Sequence, residues 1–147
     1  MPIRMWREED LPEIYNLLNE LNEALGEDQE ISIETIKNHY TEMQRNKDIY
    51  QNYIYDIKDK VVGFVSIVNY RSVYHKNGTA LINELIVSRE YRNRGIGEEL
   101  LRYCIKEAEW NEMDEIEVGV MKENRKAIEF YKRNGIDEEY LLLGKEF

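Results

Sequence analysis

Cysteine occurs once, and histidine and proline twice each, in 147 residues; each scarcity excludes something. A lone thiol, Cys104, makes no internal disulfide, and His39 and His75 are too far apart to suggest a metal-ligand cluster, so no metal site is expected. A reduced, cytoplasmic setting fits that cysteine usage. No Pro/Gly-rich linker, repeat or low-complexity tract divides the chain, and its length matches one ordinary domain, so a single domain over residues 1–147 is expected. No apolar run approaches the ~20 residues of a membrane-spanning helix. The first ten residues lack the apolar stretch and cleavage site of a signal peptide, so neither a membrane partner nor secretion is expected. Basic charge is also short. Twenty Lys and Arg against 30 Asp and Glu give a net charge of −10, which repels phosphate backbones and disfavours nucleic acid as a partner. The same charge attracts cations, and amines are cationic at neutral pH.

The chain does have enough apolar residues, 42%, for one real core. Ile3 to Trp6 reads as a short strand. Asp10 with Glu13 three residues on reads as a capping box, opening a helix with Leu11, Ile14, Leu17, Leu18, Leu21 and Leu25 on one face and Gly26 at its end. Ser32 caps a second helix carrying Ile33, Ile36, Tyr40 and Met43. Tyr50–Ile57 and Val61–Tyr70 alternate as strands about a Lys58-Asp59-Lys60 turn, an antiparallel hairpin. Thr79–Val87 is apolar almost throughout and reads as a strand buried on both faces. A helix from about Gly95 carries Leu100, Leu101, Cys104, Ile105 and Ala108. Glu115–Met121 reads as a strand, Asn124 to Gly135 as a capped helix and Tyr140–Phe147 as a last strand. The order β-α-α-β-β-β-α-β-α-β is that of a mixed α/β domain.

The chemically informative stretch runs from Glu84 to Gly97. A buried strand enters a loop with two glycines, and the loop opens directly into a helix. Such a junction presents free backbone N–H groups at the positive end of a helix dipole, where an anion is favoured. Glycine lets the backbone approach that anion with no Cβ in the way. Arg89, Arg92 and Arg94 face only Glu90, a local excess of two positive charges in an acidic chain. A phosphate ligand accounts for this concentration; a helix cap with solvated arginines accounts for it equally well. A triphosphate-binding loop needs Lys-Ser/Thr after its second glycine, where this chain has Glu98-Glu99. A dinucleotide fingerprint needs a third glycine, where this chain has Leu100. Arg-x-x-Gly-x-Gly, Arg92 to Gly97, is what remains.

That loop resembles the acetyl-coenzyme A pyrophosphate loop of the GCN5-related N-acetyltransferase (GNAT) family, which reads Arg/Gln-x-x-Gly-x-Gly/Ala after the fourth strand. A second block resembles the same family. Asn124-Arg125-Lys126-Ala127-Ile128-Glu129-Phe130-Tyr131, followed by Gly135-Ile136, is similar to its Asn-x-x-Ala-x-x-Phe-Tyr-x-x-x-Gly-Phe block, with Ile136 in place of Phe. The resemblance covers Leu81 to Ile136 in order. It implies a GNAT fold and acetyl-coenzyme A as cosubstrate, with transfer of the acetyl group directly to a primary amine on a small molecule or peptide.

Site residues follow from the resemblance position by position. Leu85, Ile86 and Val87 would pair their backbone with the pantetheine arm. Asn93, Gly95, Ile96, Gly97 and Glu98 would offer N–H groups to the pyrophosphate, with Arg92 and Arg94 adding charge. Glu98 and Glu99 sit awkwardly beside phosphates and must point away, or serve only the helix dipole. Asn124 would bond the cofactor, though its capping role is sufficient by itself. Tyr131 would be the general acid that protonates the departing thiolate; on residue type alone it reads as a core tyrosine beside Ala127 and Ile128.

Several relatives carry a glutamate base on the strand before the Asn block, where this chain has Gly119. Glu84 is then the candidate base, its side chain on the face opposite Leu85; a charge-paired residue at a sheet edge is the other reading. No acyl-enzyme is expected, because Cys104 reads as a buried structural thiol. The acceptor would dock between the first two helices and the following strands, where Tyr15, Glu20, Glu23, Glu27, Tyr40, Tyr70 and Tyr74 would suit a cationic amine. Family members often dimerise, so a homodimer stays open. A coenzyme A-binding regulatory module with little or no turnover is the rival, suggested by Gly119 and by Glu98-Glu99.

Overall fold

The computed structural model describes residues 2–26 and 31–147. Strand β1 (Ile3–Met5) leads through a single 3-10 turn into helix α1 (Leu11–Leu25), and α2 (Ile33–Gln44) follows. Strands β2 (Tyr50–Ile57), β3 (Lys60–Tyr70) and β4 (Thr79–Val87) come next. Helix α3 (Ile96–Trp110), strand β5 (Glu115–Val118) and helix α4 (Arg125–Arg133) complete the order. The five strands form one sheet in the order β1-β2-β3-β4-β5. The first three pairings are antiparallel and β4 pairs parallel with β5. No helix among the described residues is long and apolar enough to cross a membrane.

The sheet separates two cores. On one face α1 and α2 cover it with Leu11, Ile14, Leu17 and Ile36, packed on Trp6, Ile54, Val61, Phe64 and Ile86. On the other, α3 sets Ile96, Leu100, Leu101, Cys104 and Ala108 against Val62, Val65, Ile67 and Ile82. Residues from Leu85 to Val87 alternate between the cores as strand geometry requires: Leu85 and Val87 face α3, Ile86 faces α1 and α2. The β2–β3 turn runs through Lys58 and Asp59, both in the left-handed region at φ 51° and 64°, as the right-handed twist of a two-residue hairpin demands. Gly26 closes α1 at φ 66°, and Ser32 caps α2 by accepting the Thr35 N–H at 3.1 Å.

Three expectations need correction. The Asp10–Glu13 capping box does not form. The preceding 3-10 turn moves the cap upstream, so Asp10 accepts the Arg7 N–H at 2.7 Å while Glu13 accepts the Val61 N–H at 2.9 Å, tying α1 to β3. The strand expected over Glu115–Met121 ends at Val118, so Gly119 lies outside the ladder. The last expected strand, Tyr140–Phe147, is absent: Leu141, Leu142 and Leu143 are 79, 90 and 83% exposed, and no regular structure follows α4. A strand needs a paired edge and a covered face. The four residues of β5 offer a short edge, and consecutive leucines have no alternation to set one face inward.

Candidate functional site

Two strands part at one side of the sheet, where β5 forms its edge. The β4–β5 ladder runs from Thr79 beside Glu115 to Ile82 beside Val118 and stops there. The β3–β4 ladder continues to Val87. Residues 83–87 of β4 therefore keep a backbone edge that β5 does not use, and an extended, hydrogen-bonding ligand could lie along it.

At the start of that free edge the chain is bulged. Ser66 pairs with Glu84 while the next residue, Ile67, pairs with Ile82, which leaves Asn83 as the extra residue. Regular alternation would put Glu84 on the same face as Ile82, in the α3 core. The bulge reverses the phase, and Glu84 instead lines a cavity under α1 and α2 with Asn83. The buried Ser66 hydroxyl donates to the Glu84 carboxylate and fixes its orientation. Glu84 thus faces opposite Leu85, as the alternation predicts.

The far end of β4 opens into the loop. Ser88 precedes a 3-10 turn over Arg89–Tyr91, then Asn93 and Gly95 adopt left-handed conformations at φ 63° and 82°. Gly95 leaves α3 without a side-chain cap, and the first helical bond runs from Glu99 N–H to Gly95 C=O at 3.0 Å. The N–H groups of Ile96, Gly97 and Glu98 consequently have no intrahelical partner, the condition an anion satisfies. A Cβ at Gly97 would stand 3.7 Å from both Val87 and Phe130 and 3.9 Å from Leu85, so α3, α4 and the β4 edge converge on this glycine.

The loop arginines divide into two kinds. Arg89 is committed to α1: its N–H donates to Glu20 at 3.0 Å and its guanidinium meets Glu23 at 3.5 Å. Arg92 and Arg94 pair with no carboxylate among the described residues. They donate to the backbone carbonyls of Val87 and Glu90, each at 3.1 Å, and Arg94 stacks on Tyr91. Both acids of the first turn are occupied: Glu98 by Arg102 at 2.5 Å and Glu99 by the Tyr55 hydroxyl at 2.5 Å.

Tyr131 lies on the α3 side, half-buried against the core with its ring 5.2 Å from that of Phe130. Burial, with a smaller contribution from nearby Cys104, pushes its phenol up to about 12. No described residue hydrogen-bonds its hydroxyl, and every fully buried side-chain polar atom has a partner, so this hydroxyl is open to solvent or ligand. Asn124 caps α4, accepting the Ala127 N–H at 3.2 Å. Cys104 is wholly buried, and burial raises its thiol to about 12, which fits the expected inert role.

Most of the expected acceptor residues lie elsewhere. Glu20 and Glu23 hold Arg89, Tyr70 donates to Glu117, and Tyr74 is solvent-exposed beside His75. Tyr15 and Tyr40 pack at the edge of the α1–α2 core, Tyr40 edge-on to Trp6 at 5.0 Å. Glu27 falls outside the described residues. The cavity is walled instead by residues including Trp6, Ile14, Ile36, Met43, Phe64 and Asn52. The available signal was a buried polar residue inside each apolar strand: Asn52 in β2 and Ser66 in β3.

Comparison with known proteins places this layout, a parted parallel pair beside an uncapped, glycine-opened helix, in a known family. The acetyltransferase (GNAT) family matches residues 11–136, and the chain belongs to that family. An uncharacterized N-acetyltransferase of Methanocaldococcus jannaschii is 36% identical over 103 residues, which are 69% of this chain and 45% of that protein. The chain thus spans less than half the length of that relative. A possible acetyltransferase from Clostridium difficile 630 superposes with a TM-score of 0.83 at 23% identity, covering 99% of this chain and 96% of that one. A transcriptional regulator from Bacillus halodurans C-125 superposes at 0.87 and 19% identity, covering 99% and 98%. The mixed sheet and its helices are those of the GNAT fold.

Proposed function

We propose that the protein is an N-acetyltransferase that moves an acetyl group from acetyl-coenzyme A directly to a primary amine. The observation that carries this reading is the parting of β4 from β5 after Ile82 and Val118, with the uncapped start of α3 at one end and Glu84 across the sheet at the other. Bound acetyl-coenzyme A supplies an acetyl group already activated as a thioester. The β4 edge over Leu85, Ile86 and Val87 orients its arm. The N–H groups of Ile96, Gly97 and Glu98, with Asn93 and Gly95 shaping the turn, hold the pyrophosphate. Arg92 and Arg94, free of carboxylates among the described residues, swing from backbone carbonyls to phosphate oxygens. Asn124 serves the helix first.

Glu84 faces the amine. Only the neutral amine has a lone pair to attack, and Glu84 receives its proton directly or through water. On the other face Tyr131 addresses the sulfur. A phenol at about 12 remains protonated at any physiological pH. Handing that proton completely to a thiolate of ordinary pKa near 8.5 would cost about 5 kcal/mol. Tyr131 therefore acts mainly as a hydrogen-bond donor to the departing sulfur, with full transfer following later.

The rival reading was a coenzyme-binding module without turnover. One of its supports weakens, since Glu98 and Glu99 are both engaged rather than aimed at the phosphates. Calorimetric binding of acetyl-coenzyme A, followed by thiol release on adding primary amines, tests the choice. Amine-dependent release is expected; binding with no release from any amine decides for the module.

A further inference from the structure

We propose that the cavity between α1, α2 and strands β2–β4 selects a primary amine on a small, uncharged, apolar body, about one phenyl ring or a branched five-carbon chain in size. The proposal rests on the transferase reading and narrows it. The cavity measures about 140 Å³. That is close to the ~150 Å³ of apolar cavities that accept benzene. Trp6, Ile14, Leu18, Ile36, Met43 and Phe64 supply much of its apolar wall. Among the described residues Glu84 is the one carboxylate in the lining, and neither lysine nor arginine contributes.

His39, Tyr50 and Asn83 add polar atoms to the lining, while two of the polar groups beside Glu84 are engaged. Ser66 donates to Glu84, and the Asn52 amide donates to the Met43 sulfur at 3.7 Å. One ammonium or amine nitrogen therefore finds one acidic partner, at the edge from which the acetyl group arrives. A second ammonium, as in a polyamine, would be buried against Trp6 and Phe64 without a counter-charge. The acids that could have received it, Glu20 and Glu23, are held by Arg89. An amino sugar would lose water from several hydroxyls, at roughly 5- to 150-fold for each one left unpaired. Each additional buried methylene, in contrast, gains about fourfold, so three carbons are worth roughly 60-fold.

The test uses the full chain with acetyl-coenzyme A and compares kcat/KM for 2-phenylethylamine, isoamylamine, ethylamine, spermidine, glucosamine and a Phe-Ala-Gly peptide. Isoamylamine should exceed ethylamine by roughly 60-fold and 2-phenylethylamine by at least as much, and both should exceed spermidine, glucosamine and the peptide by more than tenfold. Leu18→Trp, which fills the cavity from a half-buried position, should raise the KM for 2-phenylethylamine at least tenfold. Spermidine, glucosamine or the peptide ahead of 2-phenylethylamine overturns the proposal and leaves acetyl transfer standing. If no amine releases thiol, the transferase reading fails, and calorimetry of 2-phenylethylamine decides the cavity by itself. Binding that Leu18→Trp abolishes supports the proposal; no binding, or binding the variant leaves unchanged, refutes it.

Discussion

Gly97→Ala should make the protein more stable and its cofactor affinity lower, and the two effects are separable. Gly97 is the second residue of α3 and lies outside the set of positive-φ glycines, so an L side chain fits its backbone. The new methyl would meet Val87 and Phe130 at 3.7 Å and Leu85 at 3.9 Å, ordinary van der Waals distances that force nothing to move. Alanine in a helix is worth up to about 1 kcal/mol over glycine, and roughly half that so near the N-terminus. For a chain of this length the melting temperature should rise by about 2 °C. The same methyl stands where β4, α3 and α4 converge, in the path of a pantetheine arm reaching the pyrophosphate site. Crowding of that kind costs about 1–3 kcal/mol, or roughly 5- to 150-fold in affinity. Scanning calorimetry measures the first effect and titration with coenzyme A the second. A higher melting temperature with unchanged affinity would refute the placement of the pyrophosphate at the start of α3.

Three further variants probe other parts of the site and fold. Tyr131→Phe removes a hydroxyl that no described residue uses, so turnover should fall while melting temperature and coenzyme affinity stay put; donor roles of this kind are commonly worth ~10²–10⁴-fold. Glu84→Gln still accepts from Ser66 but takes no proton, so kcat/KM should fall most at low pH and recover towards the pKa of the amine; a loss uniform in pH would make Glu84 a binding residue instead. Asp10→Asn breaks a paired guanidinium contact in which Asp10 is 4% exposed and Arg4 lies at 2.8 and 2.9 Å, costing about 3 kcal/mol at neutral pH. Burial alone would raise the Asp10 carboxyl, but hydrogen bonds from Arg4 and the Arg7 amide outweigh it and hold it below the usual range. Its contribution is therefore complete above about pH 4 and is lost as pH falls through that lower value, so the melting curves of wild type and variant should converge in acid.

Local chemistry was legible wherever one residue settles a local question. Ser32 and Asn124 cap their helices, Gly26 ends α1, and the turn expected over Lys58-Asp59-Lys60 sets the hairpin, with Lys60 already in β3, all from signals a few residues long. Signals that depend on what lies across the fold misled. Asp10 and Glu13 have the spacing of a capping box, yet the Val61 N–H, distant in sequence, takes Glu13. Glu20 and Glu23 sit on the acceptor side of the chain order, yet helical geometry delivers them to Arg89. Tyr140–Phe147 has strand composition and no edge long enough to receive it.

The placement of Glu84 shows most clearly where reading from sequence stops. Its face relative to Leu85 follows from alternation over one step, and that much the chain states openly. Whether that face is the core of α3 or the cavity under α1 and α2 depends on Asn83, the single unpaired residue between two ladder segments. Nothing in Leu-Ile-Asn-Glu-Leu announces a bulge, since asparagine is merely tolerated there. The bulge forms because Ser66 and Ile67 on β3 demand different partners: a serine hydroxyl that needs an acceptor, and an isoleucine that packs with Ile82 in the α3 core. Keeping both contacts costs one ladder pair and turns the carboxylate through the sheet. The same irregularity begins where β4 leaves β5 behind, so the opening of the edge and the turning of Glu84 share one structural cause. Pairing Asn83 in a regular ladder would return Glu84 to the apolar side, where an unpaired carboxylate is too costly to keep. Deleting Asn83 would instead make Glu84 the neighbour of Ile82 and leave it facing the cavity.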